Sequence, residues 1–309
     1  MTARVFDQAH VPRRTRAAAW KGAALPYLLL TPAIVLLTVL TLGPLLYSIV
    51  LSFFEAQLGR GLGQFVGFKH YATVLAERRF WMSALNTLVW VVGSVSSQLF
   101  LGVVLAIMLD RLRFASMFFR GALFIPWVMP VAVIAFLWRW ILDPQNGIVN
   151  VTMRTAGLEW GMTAGWLSDP GSAMASALIV NAWRGVPFVL VMVLAALQGI
   201  PKDEYEAART SGAGPLREVW FVALPNLKEI LLTLALLRTM QIANNFSMMW
   251  LLTGGGPAES TEILPLLVYT KAFGSHALGE ASALAVMLLV LLIIVNTMYM
   301  RLARERLNA

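Results

Sequence analysis

The sequence has no cysteine and only three histidines, His10, His70 and His276. Disulfide scaffolds, thiolate metal sites and cysteine nucleophiles are therefore excluded. The histidines are scattered without ligand-type partners at helical spacing, and they read as solvated or interfacial side chains. Charge is scarce as well. Asp, Glu, Lys and Arg make up 13% of the 309 residues, against roughly a quarter in ordinary soluble domains. No G-x-x-x-x-G-K-[ST] occurs, so the chain has no phosphate-cradling loop of that type. Neither a His/Asp cluster nor a Ser/His pair supplies a catalytic set, so no enzyme is expected.

What the chain does have is apolar length. Hydrophobic residues are 59% of it, and the mean hydropathy is +0.72. Crossing a bilayer takes about 20 mostly apolar residues as a helix. Six segments qualify: 25–54, 86–109, 117–141, 173–197, 227–252 and 279–301. Each stays apolar all round the helix, as expected when lipid or other spans face every side. The predicted fold class is an all-α integral membrane protein with six transmembrane helices. The first run holds Pro26, Pro32 and Pro44, and is expected to start at the interface, to bend, and to stay as an anchor because no small-residue cleavage site follows.

The net charge of +8 could suggest nucleic acid, but its distribution reads as topology. The N-terminal tail carries Arg4, Arg13, Arg14, Arg16 and Lys21. Loops on the same side carry Arg111, Arg113, Arg120, Lys202, Arg209, Arg217 and Lys228, and the C-terminus Arg301, Arg304 and Arg306. Only Arg60, Lys69, Arg78, Arg79, Arg154 and Lys271 fall on the other side. Both termini are therefore expected in the cytoplasm. Segments 55–85 and 142–172 read as external loops, the second with a turn at "LDPQNGIVN" leading into a short interfacial helix.

One polar passage interrupts the apolar runs: "EYEAARTSGAGPLREVWFVALPNL", residues 204–227. Pro201 and Asp203 mark a helix start, and Glu204 and Glu206 lie early in it, where the helix dipole favours negative charge. The helix should stop at Gly212-Ala213-Gly214-Pro215, and a second short helix should end at Pro225, where the next span begins. Composition alone fits an interfacial connector equally well. The spacing is more specific: Glu206-Ala207-Ala208, three residues, Gly212, nine residues, Val222, one residue, Leu224-Pro225. It resembles the "EAA" loop of membrane subunits of bacterial ATP-binding-cassette importers of the type I fold, with Val222 where Ile is usual. That resemblance implies a coupling helix at about 202–222 that sits in a cleft of a cytoplasmic ATPase. "FIPWVMPVAVIAFLWRWILDPQNGIVN" (124–150), "NAWRGVPFVLVMVLAALQGIP" (181–201) and "LLTGGGPAEST" (251–261) look like the carbohydrate-uptake branch, which resembles maltose and glycerol-3-phosphate permeases.

Polar residues inside spans are costly and usually face a bundle interior or a water-filled path. The fifth span carries Arg238, Gln241 and Asn245 at i, i+3 and i+7, on one face with Ile242. In the fourth, Asn181, Arg184, Gly185 and Phe188 form a similar stripe. Such stripes either glue helices together or line a path. The resemblance to the maltose importer's larger membrane subunit implies that Asn181, Gly185, Phe188, Arg238, Ile242 and Asn245 face the solute, with Gly185 leaving room for a ligand and Phe188 offering a ring. Arg184, in a Trp-Arg context common in that branch, reads as structural. Arg238 and Ile242 depart from the uncharged polar residues of the sugar site. Arg238, deep in its span and without an obvious carboxylate partner, points to an anionic sugar or polyol derivative.

The expected organisation is a basic tail (1–24), a first span with an external segment (25–80), a type I permease core of five spans (81–301) and a short tail (302–309). The family resemblance implies a second permease subunit of similar fold, two ATP-binding-cassette subunits that bind ATP and Mg, and an extracytoplasmic solute-binding protein. No cofactor is expected in this chain itself, and the setting is a bacterial plasma membrane. The competing readings are an ion-coupled secondary transporter, disfavoured because no carboxylate sits well inside a span, and a permease of the same kind for a non-sugar solute.

Overall fold

The computed structural model describes residues 27, 29–111, 116–158 and 165–307. The expected basic tail at 1–24 lies outside them. The chain divides into two units at Val50/Leu51. Residues 51–80, expected to belong with the first span, thus pack with the second unit.

The first unit is a helix, α1, that runs on to Leu51 (Leu29–Leu51). Its ladder widens to π geometry at Thr38–Leu42, where Gly43 N–H bonds Thr38 O, one residue further back than in an α-helix. Pro44 follows immediately and has no N–H to donate. The wide turn lets the helix continue past the proline.

The second unit opens with an antiparallel hairpin, β1 (Phe54–Gln57) and β2 (Gly61–Phe65), in which Phe54 pairs with Phe65 and Ala56 with Leu62. Helix α2 (Lys69–Ala76) follows, and then α3 (Arg78–Arg111), which begins eight residues before the apolar run at 86. The segment 55–85 is therefore not loop. His70 is buried, with Nε2 3.0 Å from Phe54 O, so it is a structural tie rather than a solvated side chain.

The third expected span is broken. Helices α4 (Ser116–Val128) and α5 (Val131–Ile141) meet at an angle of 104°. Pro130 caps α5 with extended ψ and cannot continue the ladder of α4. Asp143 Oδ1 then accepts from the backbone N–H of Gln145 and Asn146, closing the turn before α6 (Ile148–Thr155). Helix α7 (Ala173–Gln198) is the most buried candidate span.

The polar helix α8 (Lys202–Thr210) leads to α9 (Pro215–Ala243), which does not stop at Pro225. A π turn at Val219–Ala223 sends Leu224 N–H to Val219 O, the same device that precedes Pro44. The fifth span breaks instead at Asn244-Asn245, before α10 (Phe246–Leu252). Helix α11 (Leu264–Tyr269) and α12 (Leu278–Leu307) complete the chain. Residues 302–307, expected as a tail, continue the last helix. By length and composition the described residues thus hold five spanning helices, or six with the bent pair.

Three apolar clusters hold the second unit together. Trp90, Ile134, Ile242, Met248 and Met249 join α3, α5, α9 and α10. Ala106, Val189, Val193, Leu227 and Leu234 join α3, α7 and α9. Val74, Phe80, Leu264, Leu267 and Leu284 join α2, α3, α11 and α12. Helices α3 and α7 approach closely at Gly102, where a Cβ would lie 2.5 Å from Val189 Cγ1. Small residues at such crossings give dispersion contact where water exerts no hydrophobic drive.

Candidate functional site

Two polar places stand out against this apolar scaffold. The first is the turn after α8. Gly212 sits at φ +80°; its N–H bonds Arg209 O, and Ala213 N–H bonds Ala208 O. This pair of bonds is the Schellman motif, which requires a left-handed residue that glycine supplies without a Cβ clash. Arg209 Nε donates to Glu218 Oε1 at 2.8 Å, and Asn226 Nδ2 donates to Glu204 Oε2 at 2.6 Å. These two bonds tie α8 to α9. The hydrogen bond to Glu218 also holds the Arg209 guanidinium above the usual arginine range. Glu206, Ala207, Gly212 and Pro225 are exposed, Ala208 and Leu224 are half-buried, and Val222 is buried. Leu216, Trp220 and Phe221 are exposed beside them. A cleft of about 470 Å³ separates α8 from the ends of α3 and α7, lined by Asp110, Leu197, Tyr205 and Arg209 among others. The helix therefore stands off its own bundle.

The second place is a cavity of about 380 Å³ lined by Trp127, Asn181, Arg184, Arg238, Gln241, Ile242 and Asn245. On the 26-residue helix α7, Asn181 and Arg184 place it just before the middle, on the N-terminal side. Arg238 is buried and donates through Nε and Nη2 to Gln98 Oε1, at 2.8 and 2.6 Å, and through Nη1 to Gln241 Oε1 at 2.7 Å. Its Cζ lies 5.7 Å from the Phe188 ring centroid. Gln98 is itself fully buried, and its Nε2 donates to Asn181 O. Asn181 Nδ2 in turn donates to Ser94 Oγ. Helices α3, α7 and α9 are thus joined by one polar chain.

Several expected roles change here. Gly185 leaves no room for a ligand: a Cβ there would collide with the Gln98 amide and with Arg238 Nη2, so the missing side chain makes space for that pair. Phe188 is absent from the cavity wall and stacks behind Trp127, at 6.0 Å and 20°. Asn245 does border the cavity, but it also caps α10, its Oδ1 accepting from Met248 N at 3.3 Å. The straight face expected for Arg238, Gln241 and Asn245 therefore ends at Ala243. Ile242 is part of the apolar core as well as of the wall. Arg184, read from sequence as structural, borders the cavity with its buried Nε unbonded among the described residues. Such a donor costs about 1–3 kcal/mol.

Gln98, Ser94 and Trp127 were not singled out from sequence. Gln98 and Ser94 are polar residues inside an apolar run, which is a usable signal. Trp127 carried none, because an aromatic residue inside an apolar run looks like any other part of a span.

A bundle of apolar helices long enough to span a membrane encloses a polar cavity, the architecture of a membrane transport component. Residues 98–307 match the family described as "Binding-protein-dependent transport system inner membrane component", and the chain belongs to that family of ABC transporter permeases. It is 32% identical to the sulfoquinovosyl glycerol transport system permease protein SmoG of Agrobacterium fabrum, over 97% of both chains. It is 30% identical to the trehalose/maltose transport system permease protein MalF of Thermococcus litoralis, over 93% of this chain and 96% of that one. Among solved structures, a bacterial ABC transporter involved in import of the acidic polysaccharide alginate shares the fold, with a TM-score of 0.81 and 20% identity over 93% of this chain and 98% of that one. The protein is a multi-pass inner-membrane transport component and not an enzyme.

Proposed function

We infer that this chain is the permease subunit of an importer for a sugar or sugar derivative, and that the solute passes through the cavity at Asn181, Arg184, Arg238, Gln241, Ile242 and Asn245. The observation that carries this reading is the cavity itself, a polar space enclosed between apolar spans. Its volume falls within the range of about 300–1,000 Å³ typical of small-molecule sites. The relatives' names cover a sulfosugar glycoside and two disaccharides, which supports the sugar class and leaves the solute's charge open.

The turn from Lys202 to Val222 serves as the coupling helix. Its exposure, its stand-off from the bundle and the Glu206-Ala207-Ala208…Gly212…Leu224-Pro225 spacing support docking into a separate ATPase subunit. Two such ATPases, a second permease of similar fold and an extracytoplasmic binding protein complete the machine, with both termini and α8 on the cytoplasmic side, as the distribution of Lys and Arg favours. The permease core extends from the start of α3 to about residue 301. Alternating access then follows: ATP closes the ATPase pair, α8 moves with it, and the spans rock about the cavity. An ion-coupled carrier is disfavoured because no acidic residue borders the cavity.

The test is co-expression with candidate partner subunits, copurification, and ATP-driven sugar uptake in proteoliposomes. Gly212→Val places a β-branched residue at φ +80°, where L side chains are strained by about 1–2 kcal/mol. Uptake should fall at least several-fold while membrane insertion persists. Unchanged uptake would remove the coupling role from this turn.

A further inference from the structure

The two arginines of the cavity differ in one respect that the permease reading does not use. Arg238 is locked: three of its N–H groups are engaged by Gln98 and Gln241, and the absence of a side chain at Gly185 accommodates that arrangement. Arg184 is not. It borders the same space with no hydrogen-bond or ion-pair partner among the described residues, and its Nε is buried. Both guanidiniums border one cavity, whose wall contains no carboxylate. A neutral solute would leave two cations and a buried donor uncompensated. An oxyanion offers acceptors to that donor and a charge to both cations, in the forked geometry that guanidinium matches.

We propose that the cavity takes a sugar bearing a single anionic oxygen group, a carboxylate or a sulfonate, and that Arg184 grips this group while Arg238 supplies a fixed positive field. The proposal rests on the permease reading and refines it. Gln241 and Asn245 fit the rest of such a solute. Their carbonyl oxygens are engaged by Arg238 and Met248, which leaves their amide N–H donors for sugar oxygens. Trp127, backed by Phe188, gives a ring face to the apolar side of the sugar. The expectation drawn from sequence assigned the anion to Arg238; the bonds to Gln98 and Gln241 move it one helix across, to Arg184.

The experiment measures binding to the complete membrane complex, both permease subunits with their ATPases, in nanodiscs and without the binding protein. The probes are glucuronate and 6-sulfo-6-deoxyglucose, each set against a neutral counterpart, glucuronate methyl ester and glucose. In the wild type an anionic probe should bind about tenfold or more tighter than its neutral counterpart, the worth of one charge-assisted hydrogen bond. Arg184→Gln should shrink that preference to about threefold or less, and Arg184→Lys, which keeps the charge but not the planar fork, should retain only part of it. Equal binding of acid and ester by the wild type overturns the proposal without recourse to any variant, so a failure of Arg184→Gln to assemble does not protect it. A preference that survives in Arg184→Gln also overturns it, because the grip then lies elsewhere. Failure of the importer reading shows separately, as absence of ATP-driven sugar uptake by a complex that contains an ATPase.

Discussion

The cations around the loop between α10 and α11 and those in the mid-span cavity are held in opposite ways. In the loop region Arg79 donates to both oxygens of Glu262 at 2.7 Å, and its Nε also lies 3.1 Å from Glu259. Lys271 bonds Glu77 and Glu280, each at 2.7 Å. Asn86 Nδ2 donates to the carbonyls of Glu259 and Glu262, and Thr87 Oγ1 accepts from Leu264 N. Arg79, Ser83, Asn86 and Thr87 lie on one face of α3, so this face pins the whole loop. In the cavity, by contrast, Arg238 has only neutral partners, two amides and the Phe188 ring, and Arg184 has no hydrogen-bond or ion-pair partner among the described residues. Charges that serve the architecture are neutralised on the spot. The charge left open at a costly depth is the one on which the proposed solute grip is built.

The contrast can be broken most severely at Glu262. Its side chain is 4% exposed, while that of Arg79 is 36% exposed. Breaking a fully buried pair costs about 3–5 kcal/mol, and the partial exposure of Arg79 lowers this to about 2–3 kcal/mol. Glu262→Ala should therefore lower the thermal stability of the purified complex clearly, as read by its melting temperature. A melting temperature unchanged within error would show that the loop cluster is not a structural latch.

Gln98→Met tests the other side. It removes the Oε1 that accepts two of the three Arg238 hydrogen bonds, at nearly constant volume, and leaves a buried cation with the Gln241 carbonyl as its remaining acceptor among the described residues. The expected loss is about 2 kcal/mol, smaller than at Glu262 because Arg238 can turn towards the cavity. Combining Gln98→Met with Arg238→Met should recover part of the loss. A double variant less stable than either single one would show that the two residues do not act as a pair.

Asn245 allows capping and solute contact to be separated. Ser caps a helix about as well as Asn, whereas Leu forfeits about 1 kcal/mol. Asn245→Ser should keep the melting temperature but weaken sugar uptake, and Asn245→Leu should lower both. If Asn245→Ser leaves uptake untouched, the side chain serves only as the cap of α10.

Lys271 gives the smallest effect and the one with a pH signature. Burial is the largest single influence and depresses its pKa, but the bonds to Glu280 and Glu77 together outweigh it, so the pKa is raised above the ordinary 10.5. A raised lysine pKa contributes stability that is complete below the unfolded value and is lost as pH rises through the folded one. The complex should thus show no dependence from this group at neutral pH, and should lose stability only in the alkaline range above about 10.4. Lys271→Gln should flatten that alkaline limb. A wild-type limb that stays flat there would show that the carboxylates do not outweigh burial.

Composition and local pattern carried the membrane setting, the bounds of the first, fourth and last spans to within a few residues, and the polar turn with its left-handed glycine. These follow from local physics. Lipid cannot hydrogen-bond a backbone, so a spanning segment must be a long apolar helix. A Schellman turn needs glycine at one position whatever surrounds it. The sequence also pointed to most of the cavity's residues, because polar side chains are conspicuous in an apolar run. Their contacts, by contrast, come from packing between segments far apart in the chain. Gln98 and Arg238 are 140 residues apart, and Arg79 and Glu262 are 183 apart, so neither pairing has a local signature. Prolines were visible throughout, yet Pro44 and Pro225 are absorbed by π turns while Pro130 coincides with a 104° break. That difference depends on whether the ladder can skip one donor and still pack against its neighbours. The contrast between Arg238 and Arg184 was decided in the same way, because a guanidinium's role depends on which acceptors the neighbouring helices bring within 3 Å of it.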